Sequence, residues 1–192
     1  MIKLRQSEEE GATPALLVLD AIRLGAEYRR VTETAQFYKR LLVDRIIADT
    51  IRECSSVLGM GGVFKNGCLY RESGLPELWK KSDDVSVVCD HSVPVTELVR
   101  QHVKELKPIE ELIFSPVVRI TKESNDKLIK LGFAKEGYLV GYPLFRYSHI
   151  GMMITTHTGE AVDPRTWTDA NHWQLIRDTE ELKPVLQALK LS

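Results

Sequence analysis

Residues 85–131 read VSVVCDHSVPVTELVRQHVKELKPIEELIFSPVVRITKESNDKLIKL. The run VSVVC is short, β-branched and bounded by charge, as a buried strand is, and it leads straight into Asp90-His91. Pro94 then opens a helical pattern, VTELVRQHVKEL, a break falls at Lys107-Pro108, and Pro116 opens a second β-rich run, PVVRIT. Thr121 is placed to cap a helix over KESNDKLIKL, which Gly132 closes. The predicted order is strand, Asp-His, connection, strand, helix, with Asn125 in the first turns of that helix.

This order has a chemical reading. Cutting a phosphodiester needs a nucleophilic water, a base to deprotonate it, and positive charge to stabilise the pentacovalent phosphate and the leaving oxygen. Asp90 and the amide oxygen of Asn125 are hard oxygen donors of the kind magnesium or manganese takes, and His91, with an ordinary pKa of about 6.5, is available as a neutral base. Each residue also has a structural alternative: Asp90 as a cap of the helix near Pro94, His91 as a satisfied histidine at a strand end, Asn125 on a solvated helix face.

Asp90-His91-Ser-Val-Pro94, followed by VVRIT and KESNDK, resembles the HNH, or ββα-metal, nuclease core, particularly that of the RNA-guided CRISPR effector nucleases. The resemblance covers about Val85 to Leu131. It implies Asp90 as a metal ligand, His91 as the general base, Asn125 as the second ligand or its positioner, Mg2+ or Mn2+ as cofactor, and DNA as substrate. The chain departs from the family in a longer, helical insertion between His91 and the second strand. No C-x-x-C pairs flank the core to hold a structural zinc.

Around this core the expected fold class is α+β, with 1–192 as a single domain: a helical N-terminal segment at 13–58 packed on the ββα-metal (HNH-like) core at 84–132, and a mixed C-terminal extension at 133–192. TPALLVLDAIRLGAE, from Thr13 to about Glu27, predicts a first helix, and a second follows Thr32 with Phe37, Leu41, Ile47, Ile51 and Cys54 or Leu58 on one stripe. That second helix is long enough for a homodimer seam, without a clean heptad. The stretch GMGGVFKNG lacks the spacing of a phosphate loop and reads as a turn or hairpin connection. In the tail, GYPLFRYSHIGMMITT reads as a turn leading to a strand, and DTEELKPVLQALKL as a terminal helix interrupted at Pro184.

Phosphate contacts are expected from Arg119, Lys122, Lys127 and Lys130, beside the second strand and on the last helix of the core. Arg146 and His149 in FRYSHIG are further candidates for holding the scissile phosphate; ordinary structural polarity is the alternative for all six. His157, Asn171, His172 and Trp173 fall in a polar stretch read as a recognition loop.

Bulk properties set the limits. The chain has 192 residues, 43% of them apolar, which suits one domain with a core large enough to fold without disulfides or a structural metal. Charged residues, 28% of the chain, nearly cancel to a net −1, so affinity for nucleic acid has to come from local patches. Cys54, Cys68 and Cys89 are far apart in sequence and read as buried thiols. Met1 to Gly11 is polar, without the apolar stretch of a signal peptide, and no run reaches bilayer-spanning length, which predicts a cytoplasmic protein with no membrane partner. The functional expectation is therefore a metal-dependent HNH-type endonuclease of restriction, phage or defence biology. Its rivals are a non-catalytic binding or inhibitor protein acting through protein–protein contacts, and a cysteine hydrolase using Cys68 or Cys89.

Overall fold

A computed structural model describes residues 2, 4, 13–34, 40–61 and 65–191. Its two longest helices are the amphipathic N-terminal segments, α1 (Pro14–Thr34) and α2 (Arg40–Val57). Thr13 begins α1 as its pairing with Pro14 predicts: its hydroxyl accepts from the Leu16 amide at 3.3 Å. With neither glycine nor proline between Glu27 and Thr34, α1 continues through Thr32, where a new helix had been expected. Phe37, assigned to the stripe of the second helix, lies outside the described residues. The two helices pack closely at Gly25, where an added Cβ would lie 2.1 Å from the Thr50 hydroxyl. Beyond α2, Gly59 (φ 74°) and a turn of 3-10 helix at Lys65–Gly67 make GMGGVFKNG a connection, of which residues 62–64 lie outside the described set.

Among the described residues the sheet has five strands: β1 (Tyr70–Glu72), β2 (Val87–His91), β3 (Val117–Thr121), β4 (Ile154–Thr156) and β5 (Ala161–Val162), in the order β2-β3-β1-β4-β5. β2 runs antiparallel to β3, β1 lies parallel to β3 on its other side, and β4 and β5 extend the sheet antiparallel. The near-continuous β-branched run of β3 matches its position: Val117, Val118 and Ile120 are buried between two neighbours. β2 is an edge strand.

Between β2 and β3 stand α3 (Val95–Glu105), entered through Pro94, and the short α4 (Ile109–Leu112), entered through Pro108. After β3 comes α5 (Lys122–Lys130), with the Thr121 hydroxyl accepting from the Ser124 amide at 3.1 Å. Gly132 (φ 83°) closes it, the Phe133 amide reaching back to Leu128 O at 2.8 Å. The Glu72 carboxylate on β1 accepts from the Thr121 amide and the Ser124 hydroxyl, both at 2.7 Å, and so holds the start of α5 against the sheet.

The C-terminal third differs from its sequence reading in three places. FRYSHI is wound into 3-10 helix over Phe145–Ile150, leaving only Ile154–Thr156 as strand. The polar stretch around His172 is helical rather than a loop: α6 (Asp169–Asp178) opens with a capping box in which Thr168 and Asn171 satisfy each other's amides. Pro184 sits in the first turn of α7 (Lys183–Ala188), where its missing N–H has no helical partner to lose, so it starts a helix instead of interrupting one.

The main core gathers Val18, Cys54, Tyr70, Val118, Leu128, Tyr147, Ile176 and Leu186, from α1 through α7 around both faces of the sheet. Each such apolar side chain contributes about 1.5–3 kcal/mol by leaving water. A second cluster, Ile47, Ile51, Leu98, Val99 and Leu112, fixes α2 against α3 and α4 and so sets the wall above the end of β2. The fold is mixed α+β. No helix among the described residues is long and apolar enough to cross a membrane.

Candidate active-site cleft

Side chains alternate along β2, so Asp90 faces one side of the sheet while Cys89 and His91 face the other. Behind Asp90 lies the 3-10 segment that carries Arg146 and Tyr147. Arg146 Nη2 lies 3.1 Å from Asp90 Oδ2, to which the Tyr147 hydroxyl also donates at 2.9 Å. Arg146 Nη1 donates to His91 O at 2.8 Å, tying the last carbonyl of the strand. Arg146 is only 1% exposed, and its Nε finds no acceptor among the described residues. Burial pushes the Asp90 carboxyl up from its ordinary value, opposed by Arg146 and by the Tyr147 hydrogen bond.

His91 Nε2 lies 3.3 Å from the Ser55 hydroxyl of α2, and that hydroxyl donates to Ile51 O at 3.0 Å. With its proton committed, the Ser55 oxygen accepts from Nε2–H, which leaves Nδ1 as the basic nitrogen of the neutral ring. Burial, reinforced by Arg52 and Arg146, pulls the His91 pKa down to about 4, so the ring is neutral at pH 7.

Asp90 and His91 share a cleft of about 250 Å³ with Arg52 from α2, Thr96 from α3, Lys135 from beyond α5, and Arg146. The first turn of α3 borders it as well. In that turn the intrahelical bonds begin at Glu97 and Leu98, both to Pro94 O, at 2.8 and 3.1 Å, so the amides of Val95 and Thr96 precede the helical ladder. Two cations, Arg52 and Lys135, the Arg146–Asp90 ion pair, a neutral imidazole and a helix start thus border one small space. Such an arrangement suits an anion.

Asn125 does not line this cleft. β3 leaves the neighbourhood of His91 and ends at Thr121 opposite Val87, and α5 starts there, so Asn125 in its first turn stands at the far end of β2 from Asp90. The residues that reach the cleft from this side are Ala134 and Lys135, after the helix has run back. Asp90 is the one carboxylate among the cleft residues, and its Oδ2 already holds Arg146 and Tyr147. A carboxylate paired with an amide oxygen, as magnesium or manganese would require of Asp90 and Asn125, is not brought together, and these cleft residues do not fit that ion as an assembled donor set. Among the described residues no three of His, Cys, Asp and Glu group as metal ligands.

The expected phosphate contacts divide. Arg146 lines the cleft. Arg119 does not serve the surface: it is 2% exposed and donates to Asn66 Oδ1 at 2.6 Å, to Glu77 O at 3.0 Å and to Pro76 O, pinning the connection between β1 and β2. A guanidinium so enclosed has both its Nη groups committed to carbonyls and is not offered to a phosphate; its Nε is buried without an acceptor among the described residues. Lys127 pairs with Glu123 at 2.9 Å, while Lys122 and Lys130 are exposed on α5. His149 stacks on Phe133, ring centroids 4.1 Å apart.

The other polar candidates are structural. His172 Nε2 donates to Phe114 O at 2.8 Å, so its Nδ1 accepts from the Tyr70 hydroxyl, also at 2.8 Å, and Tyr70 in turn accepts from Trp167 Nε1 at 3.0 Å. Full burial pulls the His172 pKa down to about 4. His157 is half-buried, with Nε2 3.5 Å from the Thr179 hydroxyl. Sequence reading missed Arg52, Ser55, Thr96, Lys135 and Tyr147. Only Thr96 lies close in sequence to Asp90-His91; the others arrive through packing.

One feature beside the cleft involves thiols. Cys68 Sγ lies 3.6 Å from Cys89 Sγ, while Cys54 is fully buried with its pKa pushed up to about 12, chiefly by burial. Hydrogen bonding between the pair lowers the Cys89 pKa and raises that of Cys68. No family model, curated protein or solved structure matches the chain.

Proposed function

We propose that the cleft at the end of β2 receives a phosphodiester of DNA and that the protein is an endonuclease with His91 as general base. The observation that supports this reading is the convergence of Arg52, Lys135 and the first turn of α3 on a neutral imidazole with an uncommitted Nδ1, with Arg146 held behind them by Asp90 and His91 O. Strand β2, an antiparallel β3 and α5 keep the strand–strand–helix order of the HNH resemblance, with Asp90-His91 at the end of the first strand.

In this reading the phosphate oxygens accept from Arg52, Lys135 and the amides of Val95 and Thr96. Cations and oriented amides stabilise the charge that builds up on the pentacovalent phosphorus. His91 Nδ1 takes the proton of the attacking water as its oxygen bonds to phosphorus; the P–O bond to one sugar oxygen breaks, and that oxygen leaves with a proton from solvent. Burial above all, with Arg52 and Arg146, lowers the His91 pKa to about 4 and keeps the imidazole in its proton-accepting form; a phosphate anion in the cleft offsets the part due to the two cations. Asp90 positions: it holds Arg146 at the cleft and, through Arg146, the His91 carbonyl.

The test is cleavage of supercoiled plasmid and of single-stranded DNA by the purified chain, with magnesium, with manganese and with a chelator. His91→Ala is expected to lower cleavage by about 10²- to 10⁴-fold while DNA affinity holds. Arg52→Gln combined with Lys135→Gln is expected to weaken affinity and to flatten its salt dependence. Equal cleavage by wild type and His91→Ala would remove His91 from the chemistry. Cleavage lost on chelation and in Asp90→Asn would place a divalent ion at Asp90. Salt-sensitive binding without turnover would leave a nucleic-acid-binding protein.

A further inference from the structure

We propose that Cys68 and Cys89 form a redox-active dithiol, oxidised to a disulfide by a small hydroperoxide, with Cys89 the sulfur that meets the oxidant and Cys68 the sulfur that resolves it. The two sulfurs are 3.6 Å apart, in van der Waals contact, against about 2.0 Å in a disulfide. They belong to different segments: Cys68 lies two residues before β1, and Cys89 lies on β2, with β3 between those strands in the sheet. Packing, not sequence proximity, has brought them together.

Access differs between them. Cys89 is half-buried and lines the same 250 Å³ cleft as Asp90 and His91, a space suited to hydrogen peroxide. Cys68 is 7% exposed, does not line the cleft and touches Cys89; its thiol is also close to Met60 O, at 3.5 Å. Cys54 lies in the core and has no thiol partner among the described residues, which makes it an internal control.

The chemistry balances in two steps. Cys89 Sγ, having released its proton, attacks one peroxide oxygen; the S–O bond forms, the O–O bond breaks, and the departing hydroxide takes up the proton as water. The product is a sulfenic acid at Cys89, its sulfur oxidised by two electrons and the peroxide reduced by two. Cys68 Sγ then attacks the Cys89 sulfur; the S–S bond forms, the S–O bond breaks, and hydroxide leaves with the Cys68 proton as a second water. The disulfide would join the segment that leads into β1, the middle strand of the sheet, to the residue that precedes Asp90-His91, so its formation would be felt at the cleft.

The experiment treats the full chain with one equivalent of hydrogen peroxide and maps its cysteines by mass spectrometry of an unreduced, alkylated digest, with a repeat after dithiothreitol. The expected result is a Cys68–Cys89 linkage two hydrogens lighter than the dithiol and reversed by dithiothreitol, with Cys54 still alkylatable. In Cys68→Ser, dimedone is expected to trap a sulfenic acid at Cys89. In Cys89→Ser, Cys68 is expected to stay reduced. The proposal is overturned if Cys68 and Cys89 remain free under conditions that oxidise a low-molecular-weight dithiol. It is equally overturned if Cys68 is oxidised as fast without Cys89, or if Cys54 reacts first. None of these readouts depends on DNA cleavage, so this proposal and the nuclease reading stand or fall separately.

Discussion

Lowering the pH from 7 to 5 is expected to cost the fold about 2 kcal/mol at each of two buried histidines. His91 and His172 are held neutral with pKa values of about 4, against about 6.5 in an unfolded chain. Because the unfolded imidazole takes its proton first, this contribution is complete above pH 6.5 and is lost as the pH falls from 6.5 toward 4. At pH 5 the unfolded histidine is almost fully protonated and the folded one about one-tenth so, which gives about 2 kcal/mol per site, rising to about 3 kcal/mol when the loss is complete. Asp90 and Asp169, whose pKa values burial raises, act with the opposite sign and offset part of the loss. Differences between variants isolate the histidine contribution. In His172→Gln the side chain keeps an acceptor for Tyr70 and a donor for Phe114 O but no longer titrates. Urea unfolding followed by tryptophan fluorescence at pH 7, 6 and 5 is expected to show this variant losing about 2 kcal/mol less than wild type across that range. An identical loss in both proteins would refute the neutral, buried state assigned to His172.

Two further outcomes follow from the geometry. Thr121→Ala removes the hydroxyl that accepts from Ser124 and is expected to cost about 1 kcal/mol, a fall of about 3 °C in Tm by calorimetry; no change would mean that Glu72 alone holds the start of α5. Arg119→Met leaves Pro76 O, Glu77 O and Asn66 short of donors and is expected to cost about 3 kcal/mol in chemical unfolding, with no change in the salt dependence of DNA binding. A reduced salt slope would return Arg119 to the binding surface.

What the sequence made legible is local. Thr121, Asn125 and Gly132 mark a helix by its cap, its first turns and its αL end, and α5 has those features because each is satisfied within four residues. Pro94 and Pro108 mark helix starts for the same reason. β1 was not legible: three residues carry no alternation, and Tyr70-Arg71-Glu72 is a strand because β3 and β4 flank it. α6 was hidden because its capping box uses Asn171 in place of the usual Glu or Gln, in a segment whose polar residues mask the buried stripe of His172 and Ile176. At the cleft, Asp90-His91 could be seen as a pair, but their partners are 36 to 57 residues away in Ser55, Arg146 and Tyr147, and packing alone supplies them. Arg119 misled because a cation reads as surface, although its position inside a continuous β-branched run pointed to burial.

The position of the cleft follows from the sheet order. β2 is an edge, and the bonds from Ser92 N to Pro116 O and from Lys122 N to Ser86 O, both 2.9 Å, show that the even-numbered residues of β2 pair with β3. The backbone groups of Val87, Cys89 and His91 therefore face outward. An open edge invites pairing with a foreign strand, and proteins blunt it with positive charge. Lys65 takes Val87 O at 2.8 Å and Arg146 takes His91 O at the same distance, so cations sit where another strand would bind. Lys65 stands at the Val87 end of the strand; at the His91 end Arg146 is joined at the cleft by Arg52 and Lys135. Arg146 alone belongs to both sets, so protection of the strand end and the local concentration of positive charge meet at one residue in a chain whose net charge is close to zero.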